Sequence, residues 1–257
     1  MKNESRQPAQ PETENQSRPT SGQAPVVVNA VVASQILDSR GNPTVQVKLQ
    51  IADGTEVEAS APSGASTGEH EAVELRDDGR AFSGRGVRKA IAFVNTEIAD
   101  LLRGNSWTDI RQIDDALRTL DGTSNYHRVG ANSVVAISIA MSRAFAQASG
   151  QPLHGWIASV TGSTELLPVP HFNVLNGGAH ASNDLEFQEF MIAPIGAANE
   201  EHAVETGSEI DHALAARIRA AYGSTGRGDE GGVSPSISKP QQALDLLVQA
   251  IGDAGYV

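Results

Sequence analysis

The chain has 257 residues, 39% of them hydrophobic, enough for one large or two ordinary domains with a real core in each. Its formal net charge of -12 argues against non-specific nucleic-acid binding, which needs Lys and Arg to neutralise phosphates, and the lack of Cys removes disulfides, thiolate metal sites and Cys nucleophiles. The opening MKNESRQPAQ has no apolar core of the signal-peptide kind, and no apolar run approaches the roughly 20 residues of a membrane span, so the expectation is a soluble cytoplasmic protein.

Residues 1–25 are rich in Gln, Pro, Glu, Asn, Ser and Thr and read as a disordered polar tail, since they bring too little apolar surface to offset ordering entropy. Val31, Val32, Ile36 and Leu37 suggest a first strand, and residues 38–43 are dense in turn formers. Val45, Val47, Leu49 and Ile51 then alternate with Gln46, Lys48 and Gln50, the period of a half-buried strand. Asp53-Gly54 signals a hairpin, with Val57 and Ala59 on the return strand. A helical stripe follows from Val87 to Leu102, ended by Gly104. A second helix carries Ile110, Ile113, Leu117 and Leu120 between Asp109 and Gly122. Residues 131–148 are apolar nearly all round and suit a helix buried between layers. A sheet followed by helices predicts an α+β domain over residues 26–150. The second region, residues 165–257, reads strand (172–175), strand (190–193), helix (200–222), Gly-rich loop (223–232) and amphipathic helix (240–254).

Four segments carry chemistry. Ser63-Gly64-Ala65-Ser66-Thr67-Gly68 offers two central hydroxyls and exposed backbone N–H groups, which suit an anionic ligand or a cation; its bland reading is a flexible turn. Asn176-Gly177-Gly178-Ala179-His180 follows a strand, its glycines permit close approach to a ligand, and His180 can hydrogen-bond a substrate or shuttle a proton; otherwise it is a loop side chain. Glu189, in Gln188-Glu189-Phe190-Met191-Ile192, enters an apolar strand, which is costly unless the carboxylate is paired, near a metal, or simply at an edge facing solvent. Gly228-Asp229-Glu230-Gly231-Gly232 sets adjacent acids between glycines, as a general acid in a cleft or a solvated turn.

In order and wording these segments, together with Ile36-Leu37-Asp38-Ser39-Arg40-Gly41-Asn42-Pro43-Thr44-Val45, resemble the enolase family over about residues 28–256. The resemblance implies an α+β capping domain followed by an enolase-type α/β (TIM-like) barrel that opens strand-strand-helix-helix. It implies reversible, Mg²⁺-dependent dehydration of 2-phosphoglycerate to phosphoenolpyruvate in glycolysis. Carried over by motif, Glu230 matches the proton donor, Glu189 the second Glu beside the departing hydroxyl, His180 a substrate-contacting His, and Ser66 the loop Ser that joins a second Mg²⁺. A homodimer, or pairing with a full-length enolase, is the expected partnership.

The family's general base and main Mg²⁺ ligands match no residue here, and the 90 or so residues after Pro168 fall short of the roughly 250 of such a barrel, so the chain reads as truncated. Asp184, Glu186 and Asp229 are present without a motif that makes them replacement ligands. The expectation is therefore an incomplete barrel whose last helices lack partners for their buried faces, and weak or no activity from this chain alone. The alternative is a non-catalytic enolase paralogue that acts as a binding or interaction protein. His171-Phe172, residues 154–159, residues 125–128 and Val233-Ser234 depart from the family's usual wording and mark a divergent member.

Overall fold

The computed structural model describes residues 24–223 and 226–257, so residues 1–23 of the expected polar tail, and positions 224 and 225 of the Gly-rich loop, lie outside the described residues. The first strands form where the alternation places them, as β1 (Val26–Leu37), β2 (Pro43–Ile51) and β3 (Glu56–Ser60). They pair antiparallel, with Val47 opposite both Ala33 and Ala59. Side chains of period two put Val45, Val47, Leu49 and Ile51 on one buried face.

The stripe from Val87 to Leu102 folds as α1 (Arg88–Phe93), a π-helical turn (Val94–Ile98) and α2 (Ala99–Leu102). The sequence pattern gave no sign of the π turn. Within it, the Asn95 side chain accepts from the Ala33 N–H at 2.7 Å and donates to the Ala33 carbonyl at 3.2 Å, so the helix covers backbone groups of β1. A short strand absent from the sequence reading, β4 (Ser106–Trp107), pairs with Val26 and Val27 and extends the sheet to the order β3-β2-β1-β4. α3 (Ile110–Asp121) is capped as expected, with Asp109 accepting from the Arg111 N–H at 2.9 Å and Gly122 left-handed at its end.

α4 (Ala131–Ala148) lies on β2 and β3, its Ala136, Ala140 and Ala144 buried alongside Ile137, Met141 and Phe145. Small side chains let it sit close to the sheet, which suits its all-round apolar surface. α5 (Leu153–Thr161), also unforeseen, stacks Trp156 on Phe145 with ring centroids 5.8 Å apart. These elements share one core that runs from Val26 to Trp156.

A second, separate core holds the rest. β5 (Phe172–Asn176) and β6 (Glu189–Ile192) pair antiparallel, with Asn176 opposite Glu189. A third extended segment joins them: the Asn176 N–H donates to the Val233 carbonyl and the Val233 N–H to the Val174 carbonyl, both at 2.9 Å, which sets Val233 parallel beside Leu175. α6 (Glu200–Tyr222) starts at Asn199, whose side chain accepts from the His202 N–H, and ends at left-handed Gly223. α7 (Pro240–Asp253) carries Pro in its first turn, where the missing N–H costs nothing.

The expectation that these last helices lack partners is overturned. α6 and α7 pack on each other and on the strands, so Ile210, Leu214 and Ile218 meet Ala243, Leu247 and Ala250 in one cluster. Leu244 and Val248 stay exposed on the other side of α7. The chain thus shows an α+β domain and a partly curled sheet with two helices, the opening of a barrel. None of the described helices is long and apolar enough to cross a membrane.

Asp121 is the main buried charge of the first core, at 3% exposure. Its carboxylate accepts from the Thr123 hydroxyl and from the N–H groups of Thr123, Arg128 and Val129, tying the end of α3 to the approach to α4. Burial pushes this carboxyl up, but the hydrogen bonds outweigh it and hold it below the usual Asp range. A lowered native value means the stabilisation is complete above the unfolded-chain value of about 4 and is lost as pH falls through the native one. Asp121→Asn turns an amide NH₂ toward backbone donors and is expected to cost about 2–3 kcal/mol at pH 7. In urea melts the gap between variant and parent should close as pH drops below about 4; a constant gap would show that the charge is not what matters.

Candidate active site

The site begins at the end of β5. The Gly177 N–H bonds the Gln188 carbonyl at 2.9 Å and the Gly178 N–H bonds the Leu185 carbonyl at 2.8 Å, so the chain folds tightly back on itself. A Cβ on Gly177 would lie 2.4 Å from Leu185 Cβ and 2.5 Å from the Phe187 carbonyl, and Gly178 has φ +54°. The two glycines thus allow close packing of the protein against itself. A 3₁₀ turn (Gly178–His180) delivers His180 with its side chain only 2% exposed.

Against His180 lies the acidic loop. The Asp229 N–H donates to the His180 carbonyl at 3.1 Å, and His180 Nδ1 sits 2.9 Å from Asp229 Oδ1. On the other side of the ring, Nε2 lies 3.6 Å from Glu230 Oε1, beyond hydrogen-bond range. Glu230 Oε2 accepts from the Asn173 amide at 3.2 Å. Glu189, exposed at the start of β6, brings a carboxylate oxygen within 4.8 Å of the His180 and Glu230 ligand atoms. Three of the four residues singled out from the sequence thus meet in one place, at the end of the strand pair where Asn176 faces Glu189.

The loop is held from below. Asn176, wholly buried, accepts from the Gly232 N–H at 2.9 Å and donates to Asn173 Oδ1 and the Gln188 carbonyl. A Cβ on Gly228 or Gly232 would fall 2.7 Å from Asn176 Oδ1. Arg227 bonds the Gly231 carbonyl and pairs with Asp211 of α6 at 2.8 Å, and the Asp211 hydrogen bond raises the guanidinium further above its usual range. Asn173 and Asn176 had no role in the sequence reading. Asn176 lies inside a motif already singled out, but that its amide bridges three chain segments is a fact of the fold.

Ser66 belongs to a different segment of the chain. It is exposed in the loop after β3. The base of that loop is clamped: Arg40 Nη2 donates to the Ser63 and Gly64 carbonyls at 2.8 and 3.0 Å, and Arg76 Nη2 to Ser63 Oγ at 3.1 Å. Asp184 and Glu186 are exposed and lie outside the cluster.

Among the described residues, His180, Glu189 and Glu230 form the one group of three or more His, Asp or Glu side chains spaced to hold a metal ion. A buried imidazole with two carboxylates is a poor cage for Mg²⁺, a hard ion that takes oxygen ligands in a near-ideal octahedron.

The architecture is an α+β domain joined to the opening strands and helices of an α/β barrel, with one His and two Glu side chains gathered at one end of its strands. Residues 28–157 match the enolase N-terminal domain and residues 164–257 the enolase C-terminal TIM barrel domain. The chain belongs to the enolase family, and at that level it is an enolase-like lyase.

Asn176→Ala leaves the buried Gly232 N–H without an acceptor and is expected to destabilise the chain by about 1–3 kcal/mol. Hydrogen exchange should speed up selectively over residues 226–234. Equal acceleration in both cores would refute the bridging role.

Proposed function

We propose that this chain carries the leaving-group end of an enolase-type site, which acts on 2-phosphoglycerate and phosphoenolpyruvate. The observation that carries the reading is the convergence of His180, Glu189 and Glu230 from three separate segments in a chain of the enolase family. Dehydration next to a carboxylate expels hydroxide, which needs a proton at the moment of departure. Glu230 is suited to give it. Asn173 fixes one of its carboxylate oxygens and the other faces the cluster. Glu189 stands beside the departing hydroxyl. His180, steered by Asp229, presents Nε2 to the substrate.

The resemblance makes Mg²⁺ the metal of this chemistry and connects Ser66 with a second ion, but the clustered donors do not suit Mg²⁺. The general base and main Mg²⁺ ligands match no residue of these 257. Turnover by these residues alone is therefore expected to be weak or absent. In this reading the protein works in the cytoplasm, in glycolysis, as a homodimer or paired with a full-length enolase.

The test is phosphoenolpyruvate formation by the purified chain with 2-phosphoglycerate and excess Mg²⁺, alone and mixed with a full-length enolase carrying an inactivated proton donor. Rescue of the mixture by this chain but not by its Glu230→Gln variant supports the reading. Turnover by the chain alone, lost in Glu230→Gln, would show that its own residues replace the missing base. Inactivity in both settings leaves the reading of a non-catalytic enolase paralogue that acts as an interaction protein, for which the capping domain offers a core of its own.

A further inference from the structure

We infer that His180, Glu189 and Glu230 form a binding site for a borderline transition-metal ion of the Zn²⁺ or Co²⁺ type, distinct in chemistry from any Mg²⁺ site. The case starts from the proton on His180. The Asp229 carboxylate 2.9 Å from Nδ1 can only accept, so that nitrogen carries the hydrogen. In the neutral imidazole Nε2 then carries the lone pair, and it lies 3.6 Å from Glu230 Oε1 on a side chain 98% buried. Glu230 and Glu189 contribute further acceptor oxygens to the same space. Three acceptor atoms facing one another repel unless a proton or a cation lies between them.

The spacing fits a cation. Ligand atoms about 2.0–2.2 Å from a four-coordinate Zn²⁺ stand about 3.4 Å from each other. The Nε2 to Oε1 separation is 3.6 Å, too long for a hydrogen bond and close to that value. Glu189 is exposed, so its side chain is free to adjust its oxygen toward the same point, and water would complete the coordination. The chemistry of the donors agrees, because imidazole with carboxylates suits Zn²⁺, Co²⁺ or Ni²⁺ rather than Mg²⁺. Asp229 completes the pattern as the carboxylate that orients a metal-bound His through its other nitrogen. A metal held here occupies Glu230, so metal binding and proton donation by that residue exclude each other.

Binding is read without turnover, so the outcome is independent of the dehydration reading. The full chain, free of any affinity tag and stripped with chelator, is titrated with Zn²⁺ by calorimetry and with Co²⁺ by visible absorption. One ion per chain is expected, with the intense d–d bands of low-coordinate Co²⁺. Asp229→Asn should weaken binding about 10- to 100-fold, and His180→Ala should abolish it. Glu189→Gln, at an exposed position, keeps the test valid if the buried His variant fails to fold; it too should bind at least about 10-fold more weakly. A millimolar excess of Mg²⁺ should not displace the ion. Unchanged affinity in Asp229→Asn and Glu189→Gln would place the metal on other histidines and overturn the proposal. So would displacement by Mg²⁺, or the absence of a saturable site.

Discussion

The wholly buried amide of Asn176 takes the Gly232 N–H on its oxygen and gives its own hydrogens to Asn173 and to the carbonyl of Gln188. One side chain thereby ties the end of β5, the start of β6 and the acidic loop into a single unit. The loop residues that meet it must be glycines, because a Cβ at 228 or 232 would collide with its oxygen. With the loop pressed down, Asp229 and Glu230 fall on opposite sides of the His180 ring, one at each nitrogen. The geometry of the site is thus a consequence of one satisfied polar group in an otherwise apolar place, where an unsatisfied one would be expensive.

That arrangement divides the two acids. Asp229 is bound to His180 through both backbone and side chain, which fixes the imidazole against the loop. Glu230 keeps one oxygen toward the open space between His180 and Glu189. Two neighbouring residues of the same chemical type thus acquire different work from their surroundings alone. The Ser66 loop shows the opposite design, clamped at its base by Arg40 and Arg76 and exposed at its tip.

Several residues read from the sequence as departures from the family's usual wording are built into the packing. The Phe172 ring fills the space a side chain at Gly207 would need. Trp156 stacks on Phe145. Arg128 pairs with Glu97 at 3.0 Å and lies over the Phe93 ring. Val233 is fully buried as it pairs beside Leu175. Each of these four side chains packs or pairs with a specific neighbour, and α6 and α7 likewise cover one another.

The sequence by itself determined the elements whose causes are local. The alternation of Val45 to Ile51 made β2, Asp109 and Gly122 bounded α3, and the motif glycines marked the turns, because periodicity, capping and left-handed backbone depend on residues close in the chain. It also named His180, Glu189 and Glu230, through wording rather than geometry. Tertiary structure decided the rest. Within the π turn, Asn95 bonds the backbone of Ala33, 62 residues away. β4 and the Val233 segment exist because a distant strand offers them backbone partners. Asn176 became a bridge, and Asp229 an orienting group, only when segments some 50 residues apart came together. Contacts of that range leave no periodic trace in a sequence, since each is made by a single residue meeting a surface assembled elsewhere.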